Sequence, residues 1–186
     1  MAFWQDGKSL EPKRSYRFQL SVTGEAGKIE SFLIEKVTKP GFSIGESEVK
    51  YMNHSFFYPG RVTWDEISFT VVDCLSPSSA NGTEAIMKML EKAGYSMPER
   101  PPGGLRTISK KLSQEALGRI QIHQYDSQGT MPKETWVLNN AWIKSAKFGE
   151  LSYDSEDMQK VEVTVRYDNA FVKIAGQENL PTNAKG

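Results

Sequence analysis

The chain is patterned mostly in twos. Tyr16, Phe18, Leu20 and Val22 alternate with Arg17, Gln19 and Ser21, which predicts a half-buried strand with one wet face. A second run, Phe32, Leu33, Ile34 and Val37, closes at Pro40 and Gly41, because neither residue continues a ladder comfortably. Val62 and Trp64 then share one parity, whereas Ile67, Phe69 and Val71 share the other. The apolar side therefore switches at Asp65 and Glu66, and such a slip predicts a bulge or a bend. Ile120 and Ile122 begin a later strand, Asp126, Ser127, Gln128 and Gly129 form a turn, Trp136 and Leu138 start the return, and residues 141–147 continue as a further run. The clearest strand comes last, where Val161, Val163, Val165 and Tyr167 alternate with Lys160, Glu162, Thr164 and Arg166.

One segment has helical period instead. Asn81 offers a cap, Glu84 follows three residues on, and Gly94 stands where a left-handed terminal residue is wanted. Between them Ile86, Met89, Leu90 and Ala93 make a stripe that packs on a sheet, with Glu84 and Lys88 paired on the wet side. Residues 95–112 hold three prolines, two glycines and the cations Arg100, Arg106, Lys110 and Lys111. They predict a long exposed loop, and without stacking aromatics between the cations a solvated loop is favoured over a phosphate site. The fold class is mainly β with one flanking helix, bounded by an N-terminal arm at 1–14 and a polar tail at 173–186.

The segment from Lys39 to Asp73 carries more than a strand pair requires. Its middle holds Tyr51, Phe56, Phe57 and Tyr58 among Asn53, His54, Pro59 and Gly60, where a short polar turn would suffice. The pattern predicts a long aromatic extended loop whose chain turns back after Pro59 and Gly60. Such a surface wants a partner. Trp4, beside Phe3 on an arm with no core of its own, points to docking on a neighbouring subunit.

Composition removes most function classes. The 186 residues are 38% hydrophobic and 25% charged, with Lys plus Arg equal to Asp plus Glu at 23 each, so no overall basic charge draws phosphate. No apolar run approaches bilayer length, and the N-terminus lacks a secretory signal, so a cytoplasmic, non-membrane protein is expected. Cys74 alone forms no internal disulfide and follows an apolar run, which fits a buried small hydrophobe better than a nucleophile. His54 and His123 have no second histidine or cysteine at metal-ligand spacing. Asp65 with Glu66, and Glu156 with Asp157, are neighbours that a strand sends to opposite faces. Trp64, Trp136 and Trp142 fall in strands, where large aromatics are normal core or interface residues. No phosphate loop, serine elbow or dinucleotide fingerprint occurs. The expectation is no enzyme, no metal and no cofactor.

In order along the chain, YRFQLSV, KPGFSIGESEVKY, the return PGRVTWDEISFTVVD, one helix, DSQG before a W-V-L strand, NNAW, and SYDSED before V-E-V-T-V-R-Y resemble the tail tube proteins of contractile-tailed bacteriophages. The likeness covers residues 15–171; the Pro-rich loop at 96–106 and the tail after Phe171 have no counterpart in it.

The resemblance implies an antiparallel β-barrel or sandwich domain at 15–172 with one flanking α-helix and a long extended hairpin. It implies hexameric rings stacked as the inner tube of the tail, assembled in the host cytoplasm, passing genome DNA without specific binding and surrounded by sheath protein, with baseplate and terminator proteins at the ends. Residues 46–64 fall where that family places an intersubunit hairpin, so Val49, Tyr51, Met52, His54, Phe56, Phe57, Tyr58 and Arg61 are candidate interface residues, with Phe3 and Trp4 on the arm. A DNA conduit should not grip phosphate, which makes the polar strand faces Gln19 with Ser21, Gln121 with His123, and Glu162 with Thr164 candidate lumen residues. A tube initiator or terminator of the same fold and a single-strand nucleic-acid-binding barrel remain as alternatives, the neutral net charge weighing against the latter.

Overall fold

The computed structural model describes residues 12–24, 27–75, 81–96 and 107–175. It is a mainly β, antiparallel structure of two packed sheets, a separate hairpin and two helices. Phe3 and Trp4, together with Arg100, Arg106 and the Gly103–Gly104 pair, lie outside the described residues.

The first sheet contains β1 (Phe18–Gly24), β2 (Gly27–Ile29), β7 (Arg119–Tyr125), β8 (Pro132–Asn139) and β11 (Asn169–Ile174), in the order β11-β8-β7-β1-β2. The second contains β3 (Ile34–Val37), β6 (Ile67–Val72), β9 (Trp142–Lys147) and β10 (Lys160–Arg166), in the order β3-β6-β10-β9. The period-two pattern is what lets them pack. Leu20, Val22, Ile120 and Ile122 from the first sheet, and Ile67, Phe69, Val71, Val161, Val163 and Val165 from the second, are all buried in one cluster. Phe32, expected to open the second strand, instead lies exposed in a 3-10 turn over Ser31–Leu33, ahead of β3.

The expected helix is α1 (Gly82–Lys92), and its signals act as written. Asn81 Oδ1 accepts the Glu84 backbone N–H at 2.8 Å, Gly94 takes a φ of 107°, Ile86, Met89 and Ala93 are buried, and Lys88 pairs with Glu84 at 2.6 Å.

A second helix, α2 (Lys110–Leu117), corrects both the single-helix expectation and the end of the loop over 95–112. Its signals were present but short. Ser109 Oγ accepts the Leu112 N–H at 3.2 Å, Ala116 and Leu117 are buried, and Gly118 ends it with a φ of 71°. Gly118 is obligatory, since a Cβ there would lie 1.9 Å from the Thr23 carbonyl oxygen. Two helical turns packed against the sheets need no strong intrinsic propensity. α2 packs on α1, β1 and β9. β11 is a further strand that alternation did not announce, paired to β8 from Asn169 opposite Asn139 to Ile174 opposite Glu134.

Candidate assembly surface

β4 (Phe42–Tyr51) and β5 (His54–Trp64) form a two-stranded sheet that pairs with neither of the others. The chain reverses at Met52 and Asn53, not after Pro59 and Gly60, so the aromatics are strand residues and not a loop. Met52 takes the left-handed φ of 51° that this tight turn requires. Pro59 is tolerated within β5 because the hairpin has only one partner on each strand, and beside it the register slips between Ile44 and Glu46. There Gly60 approaches the opposite backbone so closely that a Cβ would lie 3.0 Å from the Gly45 carbonyl oxygen. The parity switch at Asp65 and Glu66 is the break between this hairpin and β6.

Register assigns the hairpin residues to two faces. Val49 opposite Phe56, Tyr51 opposite His54, and Ser47 opposite Tyr58 share one face. Phe57 lies on the other, opposite Glu48, with Glu46 and Lys50 along the same side. Phe42, Ile44, Val49, Tyr51, Met52, Phe56, Phe57, Tyr58 and Val62 are all between 51% and 84% exposed. A lone two-stranded hairpin is marginal in water. Its root is nevertheless anchored: the Phe42 and Trp64 rings meet at 5.6 Å and 61°, and Trp64 meets Tyr167 at 6.1 Å. Burial, and then the charge of Asp65, push the Tyr167 phenol up to about 12. Beside this root an open groove of about 560 Å³ is lined by Val62, Trp64, Ile108, Trp142, Arg166 and Tyr167.

The lumen candidates separate into two groups. Gln19 pairs with His123 and Ser21 with Gln121, so these four share the outer face of the first sheet. Glu162 pairs with Thr70 and Lys147, and Thr164 with Ser68 and Ser145, on the outer face of the second. The inner faces of both sheets meet in the core, so the groups point away from each other and one channel can be lined by only one of them. On the first face Tyr125 donates to Gln19 Oε1 at 2.7 Å, and His123 Nδ1 meets Thr135 Oγ1 at 3.0 Å. Burial lowers the His123 pKa below its usual value, which keeps the ring neutral near pH 7.

Glu66 and Asp168 are held in ion pairs. Glu66 accepts from Lys144 at 2.5 Å and Arg166 at 3.3 Å, and the Lys144 hydrogen bond first of all holds it below the usual carboxylate range. Asp168 is lowered mainly by Lys110, which it meets at 2.7 Å. Among the described residues no three His, Cys, Asp or Glu side chains gather as a metal site would require, and no helix is long and apolar enough to cross a membrane.

Two features escaped the sequence reading. Leu151, Tyr153 and Met158 are exposed among Glu150, Asp154, Glu156 and Asp157, in a stretch the pattern announced only as a turn. Glu134, followed by a run of strand apolars, gave no sign of being buried; it stands two residues after Pro132 and pairs with Gln124, a second polar residue at an inward position.

No protein-family model and no curated protein matches the chain. Solved structures do. The chain superposes on a structure from the sheath–tube complex of an extracellular contractile injection system, PVC, in its extended state, with a TM-score of 0.64, 18% identity, and coverage of 90% of this chain and 95% of the other. A structure from the baseplate of the anti-feeding prophage gives 0.63 at 12% identity, covering 90% and 99%. One from that particle's tube-terminating cap gives 0.62 at 15%, covering 94% and 100%. At these identities the likeness is one of fold: this chain has the β-sandwich of tail tube and contractile injection system proteins.

Proposed function

We propose that this chain is a structural tube subunit, forming hexameric rings that stack into the inner tube of a contractile phage tail and guide genome DNA to the host. The observation that carries the proposal is the β4–β5 hairpin. It projects nine large hydrophobic side chains into solvent while pairing with no other strand among the described residues. A patch of that kind on a soluble chain marks an interaction surface. In this reading the hairpin packs on a different surface of the next copy, a head-to-tail contact that gives a ring when the rotation between copies closes. The edge strands β11, β2, β3 and β9 add backbone groups that pairing between neighbours would satisfy.

In this proposal Val49, Tyr51, Phe56 and Tyr58 form one apolar contact face, with His54 on the same side. Phe57 supplies a second contact on the opposite side, Met52 stands at the tip, and Arg61 lies beside the bulge. The arm bearing Phe3 and Trp4 docks on a neighbouring subunit. Sheath protein surrounds the tube, and baseplate and terminator proteins bound it. Genome DNA passes through the lumen without specific binding. The subunit has no catalytic role.

Negative-stain electron microscopy of the purified protein tests this. Rings or tubes are expected, and a strictly monomeric species across all concentrations refutes it. A baseplate initiator or tail terminator is the second reading, favoured by the near-equal likeness to baseplate and cap structures; a copy number of one or two rings per particle would select it.

A further inference from the structure

We propose that Glu134 is a positioning residue for assembly, a single carboxylate that fixes both the course of residues 12–17 ahead of β1 and the direction in which the β4–β5 hairpin leaves the body. The inference rests on the tube reading for the purpose of those two segments, but not for the contacts themselves.

Glu134 lies in β8 with its side chain only 9% exposed. One carboxylate oxygen, Oε2, accepts from Lys13 Nζ, while Oε1 accepts from Lys39 Nζ at 2.8 Å and from Trp136 Nε1 at 2.6 Å. Lys39 also donates to Gln124 Oε1, and Gln124 Nε2 donates to the Arg14 carbonyl at 3.0 Å. Gln124 is itself buried and is the cross-strand partner of Glu134 in β7. Two adjacent inward-facing polar residues thus grip two remote stretches of chain. Lys13 precedes β1, and Lys39 stands three residues before β4.

This arrangement is costly if the core alone is considered, since apolar side chains of similar volume would close the same end of the sandwich at least as well. The cations it holds explain it better. Among the described residues the hairpin makes no ladder with the body, so its direction is set at its root: by the Phe42, Trp64 and Tyr167 rings, by the Thr38–Ser68 and Gly41–Asp65 hydrogen bonds, and by Lys39. The root is also the pivot of a lever. Ten residues of β4 span about 33 Å, so a rotation of about 10° at the root displaces the tip by about 6 Å. A displacement of that size takes Tyr51 and Phe56 out of register with any close-packed partner surface.

The test is Glu134→Gln in the full chain, which keeps side-chain volume and removes the charge. Hydrogen exchange is expected to rise at least tenfold over residues 12–17 and 38–44 while the core strands β6 and β10 stay protected. The critical concentration for assembly is expected to rise about tenfold. Lys39→Met separates the two roots, raising exchange around the hairpin root and leaving 12–17 nearly unchanged; it also keeps the proposal falsifiable should Glu134→Gln not fold, because Lys39 is a partly exposed side chain whose loss leaves Glu134 paired with Lys13. Unchanged exchange at both segments in a folded variant overturns the proposal, as does raised exchange with a wild-type critical concentration. Failure of the tube reading has a different signature, a wild-type protein that never assembles whatever the exchange pattern.

Discussion

Phe57→Ser separates folding from assembly, because Phe57 contributes little to the monomer and much to a partner. A phenylalanine carries roughly 200 Å² of surface. At 61% exposure about 120 Å² of it is available to a neighbour, and at about 25 cal/mol per Å² its burial contributes about 3 kcal/mol per contact. That is about a hundredfold in an association constant. Within the monomer the change removes one partly exposed strand residue opposite Glu48, which costs about 1 kcal/mol or less and lowers Tm by about 2 to 4 °C for a domain of this size. Circular dichroism melts should therefore show a folded variant, while sedimentation velocity and negative stain show the loss of rings. Phe69→Ser is the contrast: Phe69 is fully buried between the sheets, and its loss costs about 3 to 5 kcal/mol or more, enough to unfold the monomer. A Phe57→Ser protein that fails to fold would refute the reasoning, as would one that assembles at wild-type concentrations.

Three further outcomes follow from the same geometry. In a Cys74→Ser background, Ser21→Cys and Thr164→Cys lie on opposite outer faces, so a bulky polyethylene-glycol maleimide should modify one of them in assembled tubes and spare the other; equal modification of both removes the lumen assignment from both faces. Glu134 is raised by burial but lowered further by the Lys13, Lys39 and Trp136 hydrogen bonds, to about 2 from an ordinary 4.5. Its folded pKa is depressed, so its stabilisation is fully present above about pH 4.5 and is lost as pH falls toward 2. This contribution is on the order of 3 kcal/mol, and urea titrations at pH 6 and pH 3 should show a stability difference that Glu134→Gln reduces. Gly118→Ala must hold φ at 71° and place a Cβ on the Thr23 carbonyl, so a loss of about 2 to 4 kcal/mol is expected; an unchanged denaturation midpoint would contradict the close approach of α2 to β1.

By itself the sequence determined which face of the regular sandwich strands turns inward. Alternation at Leu20 and Val22, at Ile120 and Ile122, and at Val161, Val163 and Val165 is a local property of the pleat, so it can be read without knowing what each strand pairs with. The cap at Asn81 is equally local. What lay outside the sequence was anything set by pairing partners. The hairpin's turn fell at Met52 and Asn53, although Pro59 and Gly60 are the stronger turn formers, because a nine-rung ladder outweighs the local preference of two residues. Gln19 and Glu162 look alike as polar strand residues, and only sheet order sends them to opposite sides. Glu134 becomes a buried hub only because strand pairing sets it beside Gln124, with Lys13 and Lys39 brought to the same end of the sandwich. The aromatic excess between Tyr51 and Tyr58 was legible from the start; that it forms a free-standing arm with two distinct faces was decided by tertiary structure, since exposure depends on what the rest of the chain leaves uncovered.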